Sequence, residues 1–491
     1  MRPSIKPFWL LLGAALGLRL ISMWLLPFAD TTEPRYAEIA RLMASSGDWI
    51  TPWFEPGVPF WGKPPLAFWS QALAFRLGGI NEFAARLPSL LVTAATLALI
   101  FKLARQLFDT RTARWAALIY ATSLLPYVMS GAVLTDPFLV LGTTLSLTSF
   151  ALAAQRPASR WGYGFFIGLA IGLLAKGPLA LVLVFGPMLP WALWHRQGWQ
   201  YLLALPWRMG VPLCSALCLP WYIVAELKTP GFLRYFLLGE NLLRFIDPGW
   251  VGDRYGNGHQ QPHGMIWLHW LAATFPWGIV ALAALWRPLF ASDQRQRLLA
   301  PLRDCWRCYL LSWSLFTLLF FTLAGNILWT YALPALPAFA ILLAEHLQRH
   351  CAARRRRWLL TASVVPLAIV ALTLAVLVKP QSLRSEKALV EYAEQHAGSQ
   401  SRLLYLESRP FSARFYSCGR AELVTLQQLR NEDRSDTVQL AIPKRRLAAV
   451  EMQLGVALHP LFTNRRYALV ALPATADVAV NEPSSHLREQ Q

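Results

Sequence analysis

Over roughly its first 380 residues the chain alternates apolar runs of membrane-spanning length with short polar gaps. The runs lie at 8–28, 84–101, 112–131, 137–154, 162–175, 178–194, 209–226, 265–286, 309–324, 331–347 and 358–378. A helix needs about 20 apolar residues to cross a bilayer, so the pattern predicts about eleven spans, or up to about thirteen with broken or short ones. Two longer polar stretches interrupt it. Residues 29–83 contain two predicted amphipathic helices, 33–46 and 63–78, and residues 227–264 form the second stretch. Their aromatic residues place both at the bilayer surface.

After Lys379 the pattern changes. Short β-like runs (Leu403–Leu406, Leu423–Leu426, Val438–Ile442, Tyr467–Leu472) alternate with helical patterns such as Glu386–His396, followed by a polar tail from Thr475. The expected architecture is therefore an all-α polytopic membrane domain over 1–379, with amphipathic juxtamembrane helices, and a small α/β domain over 380–491.

Charge orients this arrangement. Lys102, Arg105, Arg111 and Arg114 fill one short connection, and Arg156, Arg160, Arg196, Arg208, Arg303, Arg307 and Arg354–Arg357 recur in alternate ones, which predicts a cytoplasmic face and a cytoplasmic N-terminus. The opposite face holds Asp30, Glu33, Glu38, Asp48, Glu55, Asp136, Glu226, Glu240 and Asp247. Chemistry is expected on that outer face, together with the C-terminal domain. The net charge of +19 is then a matter of topology, and no nucleic-acid partner is expected. The first run, with Arg19 inside it and no Ala-x-Ala site, reads as a retained span. The six cysteines include a single Cys305/Cys308 pair and suggest neither a disulfide framework nor a zinc site.

Six polar motifs collect on the outer face. Asp30 precedes a helix opened by Glu33-Pro34-Arg35-Tyr36, where it can face outward as a general base or metal ligand, or cap the helix. Lys63 precedes Pro64-Pro65 and can meet a lipid phosphate or snorkel to the headgroups. Asp136, in Thr135-Asp136-Pro137, is a second carboxylate or another cap. Lys176, in Lys176-Gly177-Pro178, is costly inside a bilayer and calls for an anionic partner. Glu240-Asn241 with Arg244 offers a guanidinium fork for phosphate, and His259 near Pro262 can bind a metal or a sugar group. Tyr331, in Tyr331-Ala332-Leu333-Pro334, can hydrogen-bond a substrate or anchor at the interface.

Taken in order, these motifs resemble the GT-C superfamily of integral-membrane glycosyltransferases. The resemblance is to the bacterial branch related to protein O-mannosyltransferases and lipid A 4-amino-4-deoxy-L-arabinose transferases. It rests on Asp30…Glu33-Pro34-Arg35-Tyr36, Gly47-Asp48-Trp49, Lys63-Pro64-Pro65-Leu66, Thr135-Asp136, Lys176-Gly177-Pro178, Glu240-Asn241…Arg244-Phe245, His259…Pro262 and Tyr331…Leu333-Pro334, across residues 8–340.

The resemblance implies an inverting transfer of aminoarabinose or a similar sugar, from an undecaprenyl-phosphate donor to lipid A, at the periplasmic face of a bacterial inner membrane. A related transfer to a protein or another envelope glycan is the alternative. It implies catalytic roles for Asp30 and Asp136. Lys63, Lys176 and Arg244 would hold the lipid phosphate, and Glu33, Arg35, Tyr36, Glu240, His259 and Tyr331 would line the substrate. No organic cofactor is implied, and a divalent metal is implied at most through His259. Two departures stand out: Gly62 replaces a glutamate implied as a metal ligand, and Asn326, Ile327 and Leu328 stand where a lysine is implied before Tyr331. A lipid-linked sugar flippase would instead carry polar groups at the bilayer midplane and show related halves, and neither pattern is present.

Overall fold

The computed structural model describes residues 6–156, 159–247, 250, 252, 254–256, 258–290, 302–350, 354–396, 402–431 and 438–472; the polar tail from Thr475 lies outside them. The chain divides into two units, one of residues 1–24 and 39–372, the other of residues 25–38 and 373–491.

The larger unit is helical. Among the described residues seven helices are long and apolar enough to cross a membrane: Pro7–Leu25, Glu82–Leu107, Asp136–Gln155, Trp207–Lys228, Cys305–Thr322, Trp329–His350 and Arg355–Val378. Every run predicted as a span is helical, but four do not make one full-length helix. Met265–Ala273 and Trp277–Trp286 bend by 111° at a break that includes Pro276. Thr110–Thr122 ends at Ser123, and Leu124–Met129 continues it. Trp161–Lys176 and Leu179–Trp194 have 16 residues each. Seven of the eleven runs thus form single long apolar helices and the bent pair makes an eighth candidate, while Trp161–Lys176 and Leu179–Trp194 are shorter apolar helices.

The predicted amphipathic helices form as Thr32–Ser46 and Leu66–Gly78. Between them a small antiparallel hairpin, β1 (Trp53–Glu55) and β2 (Val58–Pro59), turns at Gly57, which has positive φ. Asp48 accepts bonds from the backbone nitrogens of Ile50 and Thr51 (3.1 Å each), from the Trp53 indole (2.8 Å) and from Lys228 (2.6 Å), tying the hairpin's approach together.

Helices Asp136–Gln155 and Trp161–Lys176 pack backbone to backbone. A Cβ on Gly142 would lie 2.6 Å from the Gly172 nitrogen and 2.8 Å from the Gly168 oxygen. The hydroxyl of Ser146 crosses the contact to the Phe165 carbonyl at 2.9 Å. Glycine and serine thus allow an approach that larger residues would prevent.

The smaller unit contains a five-stranded sheet: β3 (Leu403–Leu406), β4 (Glu422–Val424), β5 (Val438–Pro443), β6 (Pro460–Thr463) and β7 (Tyr467–Leu472), in the order β4-β3-β5-β7-β6. The β3 pairings are parallel, and β7 runs antiparallel to β5 and β6. Both faces are apolar. Leu404, Leu406, Leu440, Ile442, Val470 and Leu472 pack on one, and Tyr405, Ala441, Tyr467 and Leu469 on the other. The run predicted at Leu423–Leu426 forms a strand one residue earlier, ending at Val424, where Leu426 opens a helix.

Candidate active site

The larger unit holds a cavity of about 510 Å³ lined by Lys63, Lys176, Glu240, Asn241, Arg244, Asn326 and Tyr331, with apolar walls that include Leu179, Val182, Phe236, Leu237, Phe245, Phe320 and Phe321. Stretches more than 250 residues apart in sequence meet here, from Lys63 to Tyr331.

Each polar side chain is placed by its local structure. Pro64 and Pro65 delay the helix that starts at Leu66, so Lys63 stays in a non-helical stretch. Lys176 is the last residue of its helix, which ends at Gly177 with φ +76°. A Cβ on Gly177 would meet the Phe236 ring at 2.5 Å. The glycine therefore both ends the helix and admits the segment Arg234–Leu243, a π-helix that carries Glu240.

Lys176 Nζ donates to Asp136 Oδ1 at 2.8 Å and lies 4.9 Å from the Tyr331 ring centroid. Both ends of the ion pair are buried, with side-chain exposures of 8% and 10%. Asp136 thus serves as an ionic partner for Lys176. In the same lining, Lys63 Nζ reaches Glu240 Oε1 at 2.5 Å, and Arg244 Nη1 contacts both Glu240 oxygens at 3.0 and 2.9 Å. Burial pushes the Glu240 carboxyl up, but Lys63 and Arg244 outweigh it and hold it below the ordinary glutamate value. Lys63, Lys176, Arg244 and Glu240 line the cavity, and Asp136 pairs with Lys176. A cationic end joined to aromatic and aliphatic walls suits an amphipathic anion, since the cations meet its charge and the walls its chain.

His259 is held through its backbone. Its side chain is exposed, and its backbone makes the contacts: its N–H donates to Asn326 Oδ1 at 2.9 Å and its carbonyl accepts from Ile327 at 3.1 Å. The residue ties its loop to the one bearing Asn326. Among the described residues no three His, Cys, Asp or Glu side chains converge to hold a metal ion, and Gly62 offers no ligand beside Lys63. Asn326, noted in the sequence only as a replacement, proves to be a cavity residue; nothing in its local pattern announces this.

Asp30, Glu33, Arg35 and Tyr36 belong to the smaller unit. The sequence leaves Asp30 either facing outward or capping the helix. Its side chain is instead 2% exposed and accepts from the Ser412 backbone nitrogen (2.8 Å), the Ser412 hydroxyl (2.6 Å) and Arg466 (2.5 Å). These partners lie hundreds of residues away, beyond the reach of a local pattern. Arg35 lies over the Tyr36 and Phe411 rings at 5.2 and 5.7 Å, and Glu33 sits in the first turn of its helix.

Residues 10–236 match the family described as dolichyl-phosphate-mannose-protein mannosyltransferase. The chain is also 32% identical, over 399 residues, to an undecaprenyl phosphate-alpha-4-amino-4-deoxy-L-arabinose arabinosyl transferase of Pseudomonas aeruginosa (strain UCBPP-PA14), covering 77% of this chain and 67% of the relative. The chain belongs to this arabinosyl transferase family. A family member from Edwardsiella ictaluri is 33% identical over 331 residues, 65% of this chain and 55% of its own length. The chain spans 55–60% of the length of the first three such relatives. The family's fold is seen in ArnT from Cupriavidus metallidurans, solved bound to undecaprenyl phosphate, which superposes with a TM-score of 0.77 at 17% identity over 94% of this chain and 97% of ArnT. The protein is thus a multi-pass membrane protein of the arabinosyl transferase fold.

Proposed function

We propose that this protein transfers 4-amino-4-deoxy-L-arabinose, or a similar sugar, from undecaprenyl phosphate to lipid A. The reaction would take place at the periplasmic face of the inner membrane, with the N-terminus cytoplasmic and the C-terminal domain periplasmic. The observation that carries this reading is the convergence of Lys63, Lys176 and Arg244 on one apolar-walled cavity. The donor is a phosphodiester. As its sugar–oxygen bond breaks, the electron pair passes to the phosphate, whose charge rises from one to two. Fixed cations stabilise that growing charge without reorganising. A lipid A phosphate oxygen attacks the anomeric carbon from the opposite side, which inverts it. A phosphate monoester, with a second pKa near 6, is largely ionised at neutral pH, so it needs no general base. Asp136 then orients Lys176, and Glu240 spaces Lys63 and Arg244.

The test is mass spectrometry of lipid A and envelope glycans from cells with and without the gene. The expected result is loss of one amino-sugar-modified lipid A species. Unchanged lipid A together with a lost glycan or glycoprotein would point to the second reading, another envelope acceptor, which two departures favour: Gly62 next to Lys63, and Asn326 in the cavity lining. Unchanged transfer with lost lipid translocation would make the protein a flippase.

Glu240 supplies a further prediction. Its depressed pKa means that its charge persists as pH falls through the ordinary glutamate value of 4.5 and is lost only below it. A polyprenyl phosphodiester keeps a single charge between pH 7 and 5. Its binding, read by tryptophan quenching, will therefore stay level over that range. Glu240→Gln will tighten it roughly tenfold at both ends by removing a competing anion. Binding that strengthens on acidification to pH 5 in the parent protein alone would contradict this.

A further inference from the structure

In the larger unit, residues 325–327 join helix Cys305–Thr322 to the short helix Trp329–Ala335 that carries Tyr331. They pair antiparallel with residues 259–261. The Gln261 N–H donates to the Gly325 carbonyl at 2.9 Å, the Ile327 N–H donates to the His259 carbonyl at 3.1 Å, and Gln260 bridges Asn326. The His259 N–H donates to the Asn326 side chain, at Oδ1. The backbone of Asn326 and one end of its side chain are therefore both held.

This fixes the other end as well. A backbone N–H can only donate, so the amide atom that faces it is the oxygen, and the planar amide turns Nδ2 away from His259. Asn326 is only 6% exposed, yet it lines the cavity. Among the described residues no hydrogen bond uses its Nδ2. A buried donor without a partner is costly, and the occupant of the cavity is what can satisfy it.

Two N–H groups on one rigid amide call for an oxygen acceptor. Lys63, Lys176 and Arg244 share the lining and already meet the charge of a phosphate, with bonds stronger than a neutral amide can make. What these cations do not select is the uncharged part of the donor, the hydroxyl groups of its sugar. Within apolar walls, a single placed neutral donor is the kind of group that fixes orientation and specificity.

We propose that Asn326 is a specificity-determining residue: its Nδ2 donates to a hydroxyl oxygen of the sugar carried on the lipid phosphate, and so selects a sugar with an oxygen, not an ammonium, at that one position. This rests on the function proposed above, since it assumes that a sugar-bearing lipid phosphate fills the cavity. An ammonium at that position offers only donors, and would set N–H against N–H. A hydrogen there would leave the buried amide unsatisfied.

The experiment uses the full-length protein and reads binding by tryptophan quenching. The probes are polyprenyl phosphate without sugar, polyprenyl-phosphate-pentose, and pentose lipids in which each hydroxyl in turn is replaced by hydrogen or by ammonium. In the parent protein one position should matter, with a loss of roughly tenfold for hydrogen and more for ammonium. Asn326→Leu should erase that preference, to within about twofold, and bind sugar-free polyprenyl phosphate as the parent does. Each preference is a ratio within one protein, so a reduced folded fraction cancels. Asn326→Asp keeps the oxygen that the His259 N–H needs and is the variant least able to harm folding. It can accept but not donate, so at the same position it should prefer the ammonium form. If Asn326→Leu keeps the parent's preference, or Asn326→Asp fails to move it towards ammonium, Asn326 does not read the sugar. If Asn326→Leu weakens sugar-free and sugar-bearing lipids equally, the amide serves the phosphate and the inference falls. A parent protein that binds sugar-free polyprenyl phosphate but shows no positional preference overturns this inference alone. One that binds no polyprenyl phosphate overturns the proposed function as well.

Discussion

Replacing Lys176 by methionine will cut sugar transfer by about 100- to 1000-fold, the usual loss when one preorganised charge is removed from a site where charge develops. It will also destabilise the protein, by about 3–5 kcal/mol, because Asp136 is left charged and unpaired in a buried position. The two losses can be separated. Asp136→Asn with Lys176→Met removes both charges, so the melting temperature should recover while transfer does not. Asp136→Asn alone should reduce transfer less than Lys176→Met, since the lysine remains over Tyr331 but loses the 2.8 Å bond that fixes it. Purified protein, a polyprenyl-phosphate-sugar donor and a thermal-shift assay suffice. If the double variant regains transfer along with stability, Lys176 is only a structural partner of Asp136, and the proposed site loses its central cation.

The sequence made part of this site legible. Lys176 demanded an anionic partner by its cost in a bilayer, with a lipid phosphate as the candidate; Asp136, read as a second carboxylate or a cap, takes that place in the structure. Lys63, Glu240, Arg244 and Tyr331 shared that surface too, and the cavity unites them. What stayed hidden depends on distance or on backbone. Asp30 reads locally as a cap or an exposed carboxylate; only Ser412 and Arg466, brought in by the C-terminal fold, reveal its engagement. His259 has the right chemistry for a ligand, yet its backbone makes the bonds to the Asn326 loop, and hydropathy carries no sign of that. Strand β6 was missed because its four residues are mostly exposed and lack the continuous apolar run that marks β7, which is buried at all but one position. The breaks within spans stayed hidden for a related reason: composition stays apolar through Ser123 and through the Thr274–Pro276 break, while the backbone does not continue as one helix.

Gly142→Ala tests whether this helix packing, and not side-chain chemistry alone, builds the site. The added Cβ would fall 2.6 Å from the Gly172 nitrogen, 2.8 Å from the Gly168 oxygen and 2.9 Å from the Gly172 Cα. All three are backbone atoms, so no rotamer change can relieve the overlap and the helices must separate. Overpacking of this kind costs about 1–3 kcal/mol, occasionally more. Helix Asp136–Gln155 begins with the carboxylate, and helix Trp161–Lys176 ends with its lysine. Separating them shifts one partner of the ion pair against the other, and a misplacement of about 1 Å in a catalytic group can lower the rate a hundredfold. Gly13→Ala is the control, because nothing lies within 4 Å of the position its Cβ would take. The expected outcome is a lowered melting temperature and roughly hundredfold slower transfer for Gly142→Ala, with Gly13→Ala unchanged in both. Equal behaviour of the two variants would mean that the close approach at Gly142 does not set the geometry of Asp136 and Lys176.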